Sequence, residues 1–325
     1  MVHPDGLVAG SAGDLYIADV GRDQIFERLP SGKYRLVAGS GRRGFSGDGG
    51  PAARAEIDLL WSSGLALANN GTLYISDSGN GRVRAVAPDG IICTVAGDGK
   101  GGAGMVLRSM PALKASLGEV AGLAIGPDDD LYIAAGNVVK LTPGGNLQWV
   151  AGNNAPFACG TAFCNPASEP DFRNPGGLAF DASGDLFVST WSYGLYEVTP
   201  LDKLDYLGQE RGDDGAPEAL AGAPGGAVLE ANHAGLFRLT TGAQGKVVHT
   251  TVIALGPGDP TGPLDRALGA NNIFVDDYGV AAGPDGMVYA DTNTGNAWTN
   301  VSALVEVTPG GAVRALWKSA NAASR

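Results

Sequence analysis

The chain has 325 residues, and 52 of them are glycine, about twice the share of an ordinary globular protein. Its formal charge of −12 repels phosphate backbones and anionic membrane surfaces, so nucleic-acid binding is excluded as an expectation. A hydrophobic fraction of 44% is enough for a buried core, while glycine at this density disfavours long helices and points to short strands joined by tight turns.

Taken in chain order, the same unit recurs. A small residue and Leu open a strand, a turn glycine follows, and a second strand comes next. The copies begin Gly6-Leu7-Val8-Ala9, Gly64-Leu65-Ala66-Leu67, Gly122-Leu123-Ala124-Ile125, Gly177-Leu178-Ala179-Phe180, Ala219-Leu220-Ala221-Gly222 and Gly279-Val280-Ala281-Ala282. The fifth copy is worn. Second strands read Leu15-Tyr16-Ile17, Leu73-Tyr74-Ile75, Leu131-Tyr132-Ile133, Leu186-Phe187-Val188, Val228-Leu229 and Val288-Tyr289. A third strand follows in each unit, such as Arg82-Val83-Arg84-Ala85-Val86, and a fourth closes it, such as Tyr34-Arg35-Leu36-Val37-Ala38. Four short strands per unit with turn residues at fixed offsets predict propeller blades. The fold class expected is all-β: one six-bladed β-propeller domain over 1–325, with four-stranded antiparallel blades near 6–39, 64–97, 122–152, 177–208, 219–256 and 279–317. Because the first copy starts with its own first strand and the last ends in its own fourth, the ring should close without a swapped strand.

Strands that alternate in direction put first-to-second and third-to-fourth turns on one face. Second-to-third loops and blade connections fall on the other. All the long insertions (39–63, 97–121, 152–176, 256–278 and 293–302) lie on this second face, which is therefore the expected binding face. Three residues before each anchor stand His3, Trp61, Glu119, Asn174, Ala216 and Asp276, with Asp277 beside the last. Six-fold symmetry directs this ring toward the axis. Glu119, Asn174 and Asp276 are the candidate ligands of a divalent cation, such as calcium, in the central channel; the alternative is that these polar residues cap strand ends. Trp191 and Trp298 follow in loops of the same face and, with Trp61, are candidates for an aromatic contact site. A second ring, Asp19, Asp77, Ala135, Thr190, Asn232 and Thr292, ends the second strands. Asp19 and Asp77 are expected to tie down their own loops, and Asp77 to meet Arg82.

Cys159 and Cys164 are close enough for a local disulfide, whereas Cys93, in an apolar strand, is expected to be a buried free thiol. This cysteine usage favours an extracytoplasmic or secreted location. No run of 18 apolar residues exists, so no membrane span is expected. No signal peptide is read, and the abrupt Met1-Val2 start is that expected of a chain cut from a longer precursor. Two G-x-G-x-x-G matches, at Gly39 and Gly97, are read as flexible loops, because no helix starts at those glycines. Pro51 and Pro111 are each expected to occupy the first position of a one-turn helix. His233 and His249 fall at different radii and are not expected to converge with His3 on a zinc ion.

Leu73-Tyr74-Ile75-Ser76-Asp77-Ser78-Gly79-Asn80-Gly81-Arg82-Val83-Arg84 resembles the NHL repeat. Val37 to Ala52, with Gly44-Phe45-Ser46-Gly47-Asp48-Gly49-Gly50-Pro51, resembles the linker between NHL units of bacterial secreted proteins and kinase sensor domains. The resemblance implies a six-bladed propeller but no single activity. The expected function is non-catalytic binding of a small molecule or a protein on the long-loop face, by a monomer without a required cofactor. The alternatives are a lactonase-like hydrolase or a lyase using an axial divalent metal, and a structural module of a larger surface protein.

Overall fold

A computed structural model describes residues 3–60, 63–101, 109–152, 175–190, 194–200, 204–209, 219–232, 235–241, 247–254, 273–294 and 302–319. It is a six-bladed β-propeller. Blade 1 comprises β1 (Pro4–Ala9), β2 (Leu15–Asp19), β3 (Gln24–Arg28) and β4 (Tyr34–Ala38). A short β5 (Gly50–Pro51) precedes blade 2, formed by β6 (Leu65–Leu67), β7 (Leu73–Asp77), β8 (Arg82–Val86) and β9 (Ile91–Ala96). Likewise β10 (Met110–Pro111) precedes blade 3: β11 (Leu123–Ile125), β12 (Leu131–Ala135), β13 (Asn137–Leu141) and β14 (Asn146–Ala151). Blade 4 is β15 (Pro175–Phe180), β16 (Leu186–Thr190), β17 (Gly194–Val198) and β18 (Leu204–Gln209). Blade 5, the worn copy, still has four strands: β19 (Ala219–Gly222), β20 (Val228–Asn232), β21 (Gly235–Thr241) and β22 (Val247–Ala254). Blade 6 is β23 (Ile273–Ala282), β24 (Val288–Thr294), β25 (Ala303–Val307) and β26 (Val313–Lys318). Within each blade the strands pair antiparallel in chain order.

The Leu-Tyr-Ile pattern of the second strands follows from two-sided burial. In a strand, successive side chains point to opposite faces, and each blade is covered on both. Leu73 and Ile75 pack back onto blade 1 with Ala18, whereas Tyr74 packs forward onto Leu131 and Ile133 of blade 3. The same division holds at the other junctions, and the six clusters of buried apolar residues each join two neighbouring blades. Closure is of this kind too. Leu7, Leu15 and Ile17 of blade 1 pack against Ala281, Tyr289 and Leu304 of blade 6, and each of these blades is built from its own consecutive strands.

Blades 2 and 3 depart from the expected four strands, because their entering linkers add β5 and β10 to the outer edges of β9 and β14. From there the linker turns inward. Ala52, Ala55, Ile57 and Leu59 are buried between blades 1 and 2, and Ala112, Ala115 and Leu117 do the same between blades 2 and 3. Both linkers also fold on themselves through equivalent bonds: Gly39 N–H to Ala52 O and Ser40 N–H to Ala55 O, then Gly97 N–H to Ala112 O and Asp98 N–H to Ala115 O. The segment from Gly39 is thus a tethered strap rather than a flexible loop. Pro51 and Pro111 cap the 3-10 turns Ala52–Arg54 and Ala112–Lys114 from just outside, one position earlier than expected.

Cys93 corrects another expectation. It is a free thiol, but an exposed one. Ile92 takes the buried face of β9, so alternation turns Cys93 outward. Cys159 and Cys164 lie outside the described residues.

Candidate functional site

Each innermost strand begins on the long-loop face and ends on the tight-turn face. At the long-loop end the blades approach one another closely. A Cβ on Gly64 would lie 2.7 Å from Ala121 O and 2.8 Å from Leu123 N of the next blade. Gly122 meets Gly176 O, Gly6 meets Ser63 O, and Gly279 meets Asp5 O in the same way. Two of these approaches carry hydrogen bonds, Gly64 N–H to Ala121 O at 3.1 Å and Gly122 N–H to Gly176 O at 2.9 Å. The anchor glycine of the repeat is therefore an axial contact residue, a role distinct from turns and insertions. Beyond this pinch the channel widens into a cavity of about 190 Å³ near the tight-turn end, bounded by strand segments such as Leu7–Ala9 and Leu65–Leu67.

Polar side chains are buried around the pinched end. Asp19 is fully buried, and its Oδ1 accepts the backbone N–H of His3 at 2.9 Å. His3 itself is half-buried. Asp5 and Asp291 are 1% and 2% exposed, and the Asp291 carboxylate and the Asp5 carbonyl sit against Gly279 at the junction of blades 6 and 1. Thr190, at the end of β16, and Thr292, inside β24, are buried and bind the carbonyls of Gly194 and Ala303 through their hydroxyls.

Asp77 belongs to the second ring, and its partner differs from the expected one. Oδ1 accepts from the Asp58 N–H at 2.7 Å and from Asn80 Nδ2 at 2.7 Å, while Oδ2 meets Arg84 Nη1 at 3.3 Å. Arg84 is fully buried and its other arm holds Ser46 O and Asp48 Oδ1, at 3.0 and 2.8 Å. Arg82, directly opposite Asp77 in register, instead donates to the carbonyls of Asn80 and Asp98 and stacks 3.9 Å from the Phe45 ring centroid. Burial pushes the Asp77 carboxyl up, and this outweighs the downward pull of the Asp58 N–H, Asn80 and Arg84. Asp77 thus ties down its own loop through Asn80, and Asp19 ties the start of β1. These two carboxylates hold the scaffold together.

Of the predicted axial ring, Glu119 is exposed, and Asp276 and Asp277 lie in an irregular stretch of β23 between the pairs Val275–Thr292 and Val280–Ala290. Trp61, Asn174, Trp191 and Trp298 lie outside the described residues, as does His233; His249 is on the outermost strand of blade 5. Among the described residues no three His, Cys, Asp or Glu side chains come together as a metal site. The only members of the proposed ion site that are described are thus Glu119 and the backbone of Asp276, and they do not by themselves make one.

The tight-turn face carries a charged cluster that the sequence reading passed over. Lys140 on β13 places Nζ 3.0 Å from both Asp128 Oδ2 and Asp130 Oδ2, in the turn between β11 and β12. Partial burial pushes the Asp128 carboxyl up, but the hydrogen bond and charge of Lys140 outweigh it and hold it below the usual range. A depressed carboxylate stabilises the fold above its unfolded pKa, and that contribution is lost as pH falls through the folded one. Acidification below about pH 4 should therefore lower the thermal midpoint of the native chain more than that of Asp128→Asn; equal acid slopes would remove the pair from the stability balance.

No family model matches the chain, and no curated protein matches it. Solved structures do. A virginiamycin B lyase from Staphylococcus aureus matches with a TM-score of 0.53 at 10% identity, over 97% of this chain and 84% of that one. A gluconolactonase from Xanthomonas campestris matches with a TM-score of 0.55 at 13% identity, over 89% and 82%. The PQQ-bound aldose sugar dehydrogenase from Streptomyces coelicolor matches with a TM-score of 0.53 at 19% identity, over 94% of each chain. At such identities the likeness is one of fold. No helix among the described residues is long and apolar enough to cross a membrane.

Proposed function

We propose that this chain is a non-catalytic binding propeller of NHL type that receives a small ligand or a protein partner on its long-loop face. The observation that carries the reading is the contrast between the two ends of the channel: polar side chains gather at the long-loop end, with Asp5 and Asp291 beside the axial glycine Gly279. The opposite end of the channel is bounded by Leu, Val, Ala, Ile, Phe and Gly. A rigid scaffold with a polar mouth and long bordering segments suits recognition by a preformed surface. The proposed setting is extracytoplasmic, in keeping with the resemblance to secreted NHL proteins.

The second reading is a hydrolase or lyase using a divalent ion held by Glu119, Asn174 and Asp276. It is favoured by the likeness in fold to a gluconolactonase and to a virginiamycin B lyase. Metal analysis of the purified chain, with thermal midpoints in calcium and in EDTA, separates the two. The binding reading expects no stoichiometric ion and equal midpoints. A stoichiometric ion that EDTA removes, with a lower midpoint and loss of the ion in Glu119→Ala and Asp276→Ala, would overturn it in favour of the enzyme.

A further inference from the structure

A cleft of about 470 Å³ opens on the tight-turn face between blades 3 and 4. That volume falls within the range of small-molecule sites. Pro127 and Pro200 form its sides, Tyr132 and Phe180 supply an aromatic wall, and Lys140 and Asp128 stand at its polar edge. The two rings meet edge-to-face, with centroids 4.8 Å apart. Phe180 also borders the axial cavity.

Comparison between blades sets this place apart. At the position of Lys140 in the third strand, the other blades carry Glu27, Ala85, Glu197, Arg238 and Glu306. Glu27 and Glu306 are bound by Arg35 and Arg314, their register partners on the fourth strand. Lys140 faces uncharged Gln148 there and takes its counter-charges from the turn instead. In that turn Asp129 has φ +64°, where Gly13, Gly71, Gly184, Gly226 and Gly286 occupy the same left-handed region in other blades.

The charges select the ligand class. The Lys140 ammonium is already neutralised by two carboxylates, so an anion would compete with both of them. A cation would have to displace Lys140 from the two carboxylates it already bridges. A neutral ligand meets neither cost. Nζ has three donors, shared among Asp128, Asp130 and the Tyr132 hydroxyl; a ligand oxygen can take the place of the tyrosine hydroxyl while the Asp128 carboxylate accepts from a neighbouring hydroxyl. The aromatic and proline walls suit a C–H-rich ring face. We propose that this cleft binds a neutral ring molecule with adjacent hydroxyls, of the size of one or two sugar units, at a site separate from the long-loop face.

The test is calorimetric titration with a panel of neutral hexoses and their disaccharides, and with soluble polysaccharides of the same units. The proteins are the native chain, Lys140→Met, Asp128→Asn and, as a control on the other face, Lys100→Met. Circular dichroism confirms that each is folded. Saturable binding is expected, weakened about tenfold or more in Lys140→Met and in Asp128→Asn and unchanged in Lys100→Met. Preference for the free sugar or for the polymer identifies the source of the ligand, and either supports the site. Absence of saturable binding by every member of the panel would overturn it, as would unchanged affinity in either folded cleft variant. Glu119→Ala should leave sugar affinity untouched, which separates failure of this site from failure of the long-loop reading.

Discussion

Gly64→Ala is expected to cost about 3 kcal/mol, at the upper end of the usual range for overpacking. The added Cβ would meet two backbone atoms of blade 3, Ala121 O and Leu123 N, inside 3.0 Å. Neither can step aside as a flexible side chain would. The Gly64 N–H to Ala121 O bond joins the same two strands, so relieving the clash also stretches that bond. For a chain of this length, at roughly 2.1 cal/mol/K of unfolding entropy per residue, the loss corresponds to a fall of about 4–5 °C in the thermal midpoint. Gly122→Ala should be at least as severe, because Gly176 O stands closer still. Gly101→Ala is the control: nothing lies within 4 Å of its Cβ position, and the midpoint should hold within about 0.5 kcal/mol. If Gly64→Ala unfolds with the native midpoint, the axial approach is not what the anchor glycine serves.

The second large effect is expected at Arg84. Arg84→Met removes the charge partner of Asp77, and both side chains are fully buried. Leaving a buried carboxylate without its ion partner typically costs about 3–5 kcal/mol. The loss reaches outward as well, since Arg84 also holds Ser46 O and Asp48, and its guanidinium lies 4.9 Å from the Phe45 centroid. These contacts fasten the strap that enters blade 2. Trypsin should therefore cut Arg84→Met faster than the native chain at Arg42 and Arg43, which are exposed at the start of that strap. Arg84→Lys should fall between the two, because an ammonium keeps the charge but not the fork that reaches Asp77 and Asp48 together. A variant with native stability and native cleavage rates would mean that the strap is held by its burial of Ile57 and Leu59 alone.

The two effects belong to one design. The axial glycines allow the innermost strands to close up, and the straps wedge alternate side chains between blades 1, 2 and 3. In this frame the resemblance of the second unit and its linker to the NHL repeat has a physical content. Asp77, Asn80, Arg82 and Arg84 of the repeat, with Phe45 and Asp48 of the linker, form one connected cluster. Where later units lose these residues, the blade persists on strand pairing and apolar packing.

Much of the fold was readable because its signals are local. Alternation with period two, a turn glycine and a proline-glycine turn act over a few residues, and they recur six times, so blade count, strand order and the two faces followed from counting. The worn fifth copy kept its strands because Leu229, Leu236 and Leu239 still fill the junctions on either side of it. The candidate site was less legible. Asp77 and Arg82 are opposite in register, as the strand pattern requires, yet a guanidinium reaches diagonally and Arg84 is the one that lies beside Asp48 and the buried Asp77. Cys93 sat in an unbroken apolar run, which hides which face of an outer strand meets solvent. The tertiary structure alone decided these matters, together with the pinch at Gly64 and the cleft beside Lys140. The pinch and the cleft depend on the distance between blades some 45 to 60 residues apart in the chain, and no local pattern encodes that distance. The sequence by itself determined how many blades there are and which strands pair within them; the packing of one blade on the next determined which glycines meet backbone at the axis and where a cleft opens between blades.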